Sequence, residues 1–136
     1  MRSMPTRAMA TFKIKSWDET PYNEGEGLPK LTRASVSQVY QGGIEGQGAV
    51  EYLMVYPTDN SASFVEMQRF TGSIGGRSGS FVMQGSGTFE DGVAKGDWLV
   101  VPGSGTGDLN GIKGEGSFRA VHGEDYVEAT LDYSFD

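Results

Sequence analysis

The chain predicts an all-β fold: an eight-stranded antiparallel up-and-down (meander) barrel, made as one domain. Three observations carry this. Nowhere do apolar residues hold helical period over ten residues without a glycine intervening. β-Branched and aromatic runs of strand length recur along the whole chain, each followed by turn residues. The connections are also short, so the strands must dispose of their edges. Closing the meander on itself is the most economical way, with a two-sheet sandwich as the alternative.

In chain order, residues 1–9 read as a loose N-terminal extension, with Met9 an alternative start. "MRSMPTRAMA" is basic, but no apolar stretch of signal-peptide length follows it. The domain then spans 10–136. Its first strand is 10–18 ("ATFKIKSWD"), and 19–29 ("ETPYNEGEGLP") is the one long loop. Strands at 30–42, 44–57 and 62–74 follow, with turns at "PTDNS" (57–61) and "GGR" (75–77). Four more are expected at 78–90, 92–101, 104–119 and 125–135, with turns at "EDG" (90–92) and "HGED" (122–125).

Composition narrows the classes of function. With 37% hydrophobic residues, fifteen aromatics among them, the chain of 136 residues is globular, and its 21 glycines argue for many tight turns. A net charge of −7, with no segment concentrating Lys and Arg, argues against nucleic acid or an anionic membrane as partner. No apolar stretch approaches the ~20 residues of a membrane span. The absence of cysteine excludes disulfides, thiolate metal sites and a Cys nucleophile, and fits a cytoplasmic location.

"VVPGSGTGDLNGIKGEGSF" (100–118) invites a phosphate-loop reading, which its residues refuse. The lysine, Lys113, follows Ile112 where a Walker loop needs a glycine, and Asn110 stands where a dinucleotide fingerprint needs its third glycine. Gly103, Gly105, Gly107 and Gly111 share one parity, so the stretch reads as a curved strand and turn.

"KSWDETPY", "LTRASVSQVYQGGIEGQGAVEYLMVY", "GGRSGSFVMQGSGTF" and "VVPGSGTGDLNGIKGEG" resemble the bacterial DUF3224 family across 10–136. That family is similar to allene oxide cyclases and plant dirigent proteins in having an eight-stranded barrel. The resemblance implies the barrel and a cavity, and little about reaction, since fold does not determine function. It also implies a carboxylate at the position occupied here by Gln68, whereas Glu66 lies two residues earlier on the same face.

Strand alternation predicts an interior made of Phe12, Ile14, Gln38, Tyr40, Tyr52, Met54, Tyr56, Phe64, Glu66, Gln68, Phe70, Val82, Gln84, Trp98, Val100, Leu131 and Tyr133. This aromatic set, with a few carboxamides and one carboxylate, suits a small-molecule cavity. Glu66, enclosed by aromatics, is the catalytic candidate, because burial raises a carboxyl pKa toward neutrality; the structural alternative is a carboxylate buried for packing alone. Gln38, Tyr40, Tyr52, Met54, Phe64, Gln68, Gln84, Trp98 and Tyr133 are the candidate substrate-binding residues. Tyrosines in such positions also fill cores, and the glutamines also pair with each other.

The opposite face carries the charges, and among them Leu53, Val55, Val65, Met67, Phe81, Met83, Leu99 and Val101 form an apolar patch expected to join copies in a homo-oligomer. His122, the single histidine, lies in an acidic turn and reads as a solvated residue; no second nitrogen ligand accompanies it, so no metal site is expected. Trp17 and Tyr22 either close a barrel mouth or anchor the long loop. No serine sits in a nucleophile elbow. The functional expectation is a cyclase or isomerase that needs no cofactor and acts on a small, mostly apolar, oxygen-bearing molecule. A barrel that binds such a molecule without chemistry is the alternative, and a structural subunit working through the outer patch is the third.

Overall fold

A computed structural model describes residues 4–121 and 123–136. Nine strands make up the regular structure among these: β1 (Thr6–Asn23), β2 (Lys30–Gly42), β3 (Ile44–Thr58), β4 (Ser61–Ile74), β5 (Arg77–Glu90), β6 (Val93–Val100), β7 (Thr106–Gly107), β8 (Ile112–Val121) and β9 (Val127–Phe135). All pairings are antiparallel. The ladder runs β4-β3-β2-β1-β9-β8-β6-β5, and pairing of β4 with β5 closes it into an eight-stranded meander barrel. The two-residue β7 is an outrigger on β5, pairing Thr106 with Ser80 and Gly107 with Gly79. Closure leaves none of the eight barrel strands with a free edge along its whole length.

Alternation of burial follows from the pleat. In β2 the inward set is Thr32, Ala34, Val36, Gln38 and Tyr40, while Arg33, Ser35, Ser37 and Gln41 face out. Which parity points inward is decided by the connections. Across the β4–β5 hairpin the turn is Gly75-Gly76, so Gln68 pairs with Met83 and Phe70 with Phe81. An even inner face on β4 therefore becomes an odd one on β5, because cross-strand partners share a face. Phe81 and Met83, expected outside, are in the core, and Val82 and Gln84, expected inside, turn outward. The two-residue turn Asp91-Gly92 switches the parity back, returning Trp98 and Val100 to the interior.

Three further expectations are corrected. The barrel begins at Thr6, not at residue 10: Thr6–Phe12 pair with β9 and close the ring, and Ala8 is buried. Residues 1–3 of the expected extension lie outside the described residues. The first part of the expected loop 19–29, residues 19–23, is strand, since β1 and β2 stay paired out to Asn23 and Leu31, which shrinks the connection to 24–29. Finally, apart from the two-residue β7, 101–111 is a turn region rather than a curved strand: Gly103 and Gly111 take φ of 83° and 84°, values typical of turns. Consecutive turns fold this loop back so that Leu109, anchored by Leu109 N–H donating to Thr106 O at 3.0 Å, is buried in the core.

The core is one aromatic-rich cluster along the barrel axis. Glycines on facing strands make room for its rings: a β-carbon at Gly96 would sit 2.7 Å from Phe118 Cζ. The end bounded by the 43, 75–76 and 101–111 connections is filled by Ile44, Phe70, Ile74, Phe81, Leu109 and Ile112. The opposite end, where β1 and β2 run on as a hairpin arm, stays open.

Candidate functional site

Midway along the barrel, β2 and β4 bring four polar side chains into the apolar interior. Gln38 and Tyr40 come from β2, Glu66 and Gln68 from β4, all by period-two alternation. Tyr40 donates its hydroxyl to Gln68 Oε1 at 2.6 Å, and Gln38 Nε2 donates to Gln68 Oε1 and to the Tyr40 oxygen, each at 3.1 Å. The amide of Gln68 fits because residue 48, diagonal to it on β3, is glycine; a β-carbon there would overlap Gln68 Oε1. Gln38 Oε1 and Gln68 Nε2 remain without partners.

Glu66 is 5% exposed, and neither of its carboxylate oxygens has a hydrogen-bond partner. Burial pushes its carboxyl up to about 7; the neighbouring Gln68 amide pulls the other way, without a hydrogen bond of proper geometry to either oxygen. At neutral pH the group is thus poised between acid and carboxylate. Burial and the charge of Glu66 raise the phenol of Tyr52, the residue opposite Glu66 on β3. Burial likewise raises Tyr40, partly offset by its glutamine neighbours.

One layer nearer the open end lies an apolar cavity of about 250 Å³. Phe12, Tyr52, Met54, Phe64, Phe118 and Val127 line it from the interior, and Ile14, Trp17 and Tyr56 at the rim. Tyr52 belongs to the cavity wall and also faces Glu66, so it links the mouth to the polar layer. Trp17 stacks on Tyr52 with ring centroids 5.6 Å apart, and Phe64 meets Tyr52 edge-on.

The sequence-derived candidates therefore divide. Gln38, Tyr40, Glu66 and Gln68 converge in the polar layer, while Tyr52, Met54 and Phe64 line the mouth. Trp98 is also interior, donating its indole N–H to the Thr130 carbonyl at 3.1 Å and packing on Phe12 and Phe118. Two candidates lie elsewhere. Gln84 is on the outer surface, through the parity switch at Gly75-Gly76. Tyr133 is at the filled end, packed edge-on against Phe135, because β9 pairs Tyr133 with Thr6 at the start of β1. His122 lies outside the described residues.

Missed from the sequence are Glu19 and Thr32, and Tyr56 was given no role at the site. Glu19 accepts from Trp17 Nε1 at 2.9 Å, from Thr32 Oγ1 at 2.7 Å and, through a short bond, from the Tyr56 hydroxyl. A bulge between Ile14 and Ser16 shifts the β1 register, placing Trp17 opposite Val36 and Glu19 opposite Ala34 on the inner face. The signal was present: the apolar spacing from Ile14 to Trp17 is odd, which an unbroken strand does not give.

Outside, Leu53, Val65, Met67 and Leu99 are exposed along a broad groove of about 1030 Å³. Among the described residues no group of three or more His, Cys, Asp or Glu side chains is placed to hold a metal ion, and no helix is long and apolar enough to cross a membrane.

A family model described as "Protein of unknown function (DUF3224)" matches residues 8–133. The chain is also similar to the crystal structure of a protein of unknown function from the DUF3224 family of Shewanella oneidensis MR-1. Identity is 27%, the TM-score is 0.77, and the match covers 97% of this chain and 98% of that one. No curated protein matches the chain.

Proposed function

The chain belongs to the DUF3224 family, and from that premise we propose that it is a cofactor-independent cyclase or isomerase acting on a small, mostly apolar, oxygen-bearing molecule held in the barrel. The observation that carries the reading is Glu66, a buried carboxyl with both oxygens unpaired and its pKa near 7. A group so placed can give a proton to a developing oxyanion and take one from an adjacent carbon, the two halves of an isomerisation. The neutral amides of Gln38 and Gln68 each keep one unpaired atom, ready to orient a substrate oxygen. Holding a flexible substrate in one folded conformation supplies much of the remaining rate.

A second reading, a barrel that binds without chemistry, is supported by the composition of the mouth. Its lining is apolar and does not include Glu66. On either reading the protein works in the cytoplasm as a homo-oligomer; the lack of cysteine and the exposed patch of Leu53, Val65, Met67 and Leu99 support this.

The test is a thermal-shift screen against fatty acids, epoxides, enones and terpenoid alcohols, followed by turnover of the hit. A ligand at a hundredfold excess over its Kd adds roughly 2.7 kcal/mol. The enzyme reading expects product from the wild type and none from Glu66→Gln, with binding kept. Binding with no turnover in the wild type leaves the second reading, and no shift from any class removes both.

A further inference from the structure

The rim of the mouth holds a polar device that Glu66 does not use. Glu19 has both oxygens engaged, Oε1 by the Trp17 indole and Oε2 by Thr32 and Tyr56. Burial alone would push the Glu19 carboxyl up, but these three donors outweigh it and hold it below its usual value, so it is a carboxylate at neutral pH. The Tyr56 phenol is pushed up to about 12, by burial first and then by its bond to Glu19, and keeps its proton. A phenol has one proton, and a carboxylate is a far stronger acceptor than the Met54 sulfur 3.8 Å away. The Tyr56 proton is therefore committed to Glu19, and toward a guest in the cavity the oxygen offers only lone pairs.

The rest of the cavity sharpens the choice. Its wall is built of aromatic rings and small apolar side chains, among them Tyr52, Phe64 and Phe118. Burying a charge against such a wall is expensive, so the guest is neutral. About 250 Å³, filled at the density of protein interiors, takes roughly ten to fifteen non-hydrogen atoms. The Tyr52 hydroxyl has no hydrogen bond among the described residues and can give or accept, so it does not discriminate. Tyr56 does. Lys30, with its ammonium 4.9 Å from the Tyr56 ring centroid, lies against Glu19 electrostatically and supports the ionised carboxylate.

We propose that the open end of the barrel binds an uncharged, ring-bearing compound carrying a hydroxyl or similar hydrogen-bond donor, with Tyr56 as the acceptor and Glu19 as the residue that holds it in that role. This rests on the reading of the barrel as a small-molecule site, and it names the class of guest.

Two matched probes test it by isothermal titration calorimetry at pH 7: 2-naphthol, which has the donor, and 2-methoxynaphthalene, which lacks it. The wild type should bind the naphthol roughly tenfold more tightly, the value of a hydrogen bond made in a dry site. Tyr56→Phe, which keeps the ring and loses the oxygen, should bring the two affinities together. Glu19→Gln, which can itself donate to Tyr56 and free its proton, should reduce the preference. Equal affinities in the wild type, or a preference that survives Tyr56→Phe, would overturn the assignment of Tyr56 while leaving the cavity a binding site. Failure of both probes to bind would remove the mouth as a site altogether. Should Tyr56→Phe fail to fold, Glu19→Gln decides the matter: a preference that it leaves undiminished overturns the assignment.

Discussion

At one end of the barrel, Ile44, Phe70, Ile74, Phe81, Leu109 and Ile112 are at most 2% exposed; at the other, Ile14 and Trp17 line the same interior and are 46% and 45% exposed. Both ends are built from the same alternating strands. They differ in what their connections contribute. The 101–111 loop is long enough to double back and deliver Leu109 into the core, whereas the turns at 59–60 and 91–92 are two residues each and have nothing to fold inward. A closed sheet seals only its sides; its ends are sealed by whatever the connections donate. The hairpin arm of β1 and β2 does not seal the open end but furnishes it, placing Trp17, Glu19 and Thr32 around the rim.

The contrast can be broken or sharpened by substitution, beginning with the filled end. Phe70→Ala should lower stability by about 4 kcal/mol, as expected of a fully buried aromatic that leaves a cavity, read as a reduced urea midpoint. A loss under about 1 kcal/mol would mean that this end is as loose as the mouth.

Next is Glu66, between the two ends. Its carboxyl lies at about 7 in the folded barrel against an ordinary value of 4.5, so between those limits the folded state holds a proton that the unfolded chain has lost. The unfolded state binds fewer protons there, so stability falls as pH rises from 4.5 to 7 and is flat above. The total is about 3 kcal/mol. Glu66→Gln should abolish that slope and be more stable than the wild type at pH 8. Parallel pH–Tm curves for the two proteins would show Glu66 ionised at no such cost.

Gln68→Ala removes the acceptor shared by Tyr40 and Gln38 and should cost about 2 kcal/mol, the penalty for stranding buried donors. Trp17→Ala, at the mouth, should cost about 1 kcal/mol, the worth of one aromatic stack; a loss equal to that of Phe70→Ala would mean that the mouth is packed rather than open. Smallest is Gln84→Ala, within about 0.5 kcal/mol as for an exposed side chain. A loss matching Gln68→Ala would put Gln84 back inside and contradict the parity switch at Gly75-Gly76.

Much of the fold was legible. β2 spans the expected 30–42, and the closed meander follows from the recurring runs and short turns. Of the site, Glu66 with Gln38, Tyr40 and Gln68 was legible because β2 and β4 keep one parity throughout. Gln84 and Phe81 lie on the faces opposite to those their numbering predicts, because the two-residue turn at Gly75-Gly76 reverses parity, whereas at 59–60 a bulge between Val55 and Thr58 restores it. Glu19 was lost because a single bulge at Lys15 rotates everything after it by one position.

By itself, then, the sequence determined what depends on neighbours along the chain: where most strands run, where turns interrupt them, and that the interior would be aromatic with a buried carboxylate at Glu66. These rest on local sterics and on a period of two. Only the tertiary structure decided which parity faces inward on β5, that Leu109 fills one end, and that Trp17 and Glu19 furnish the other. Each of these depends on register between strands, and register is set by pairing across the barrel, where one inserted residue or one two-residue turn reverses every side chain beyond it.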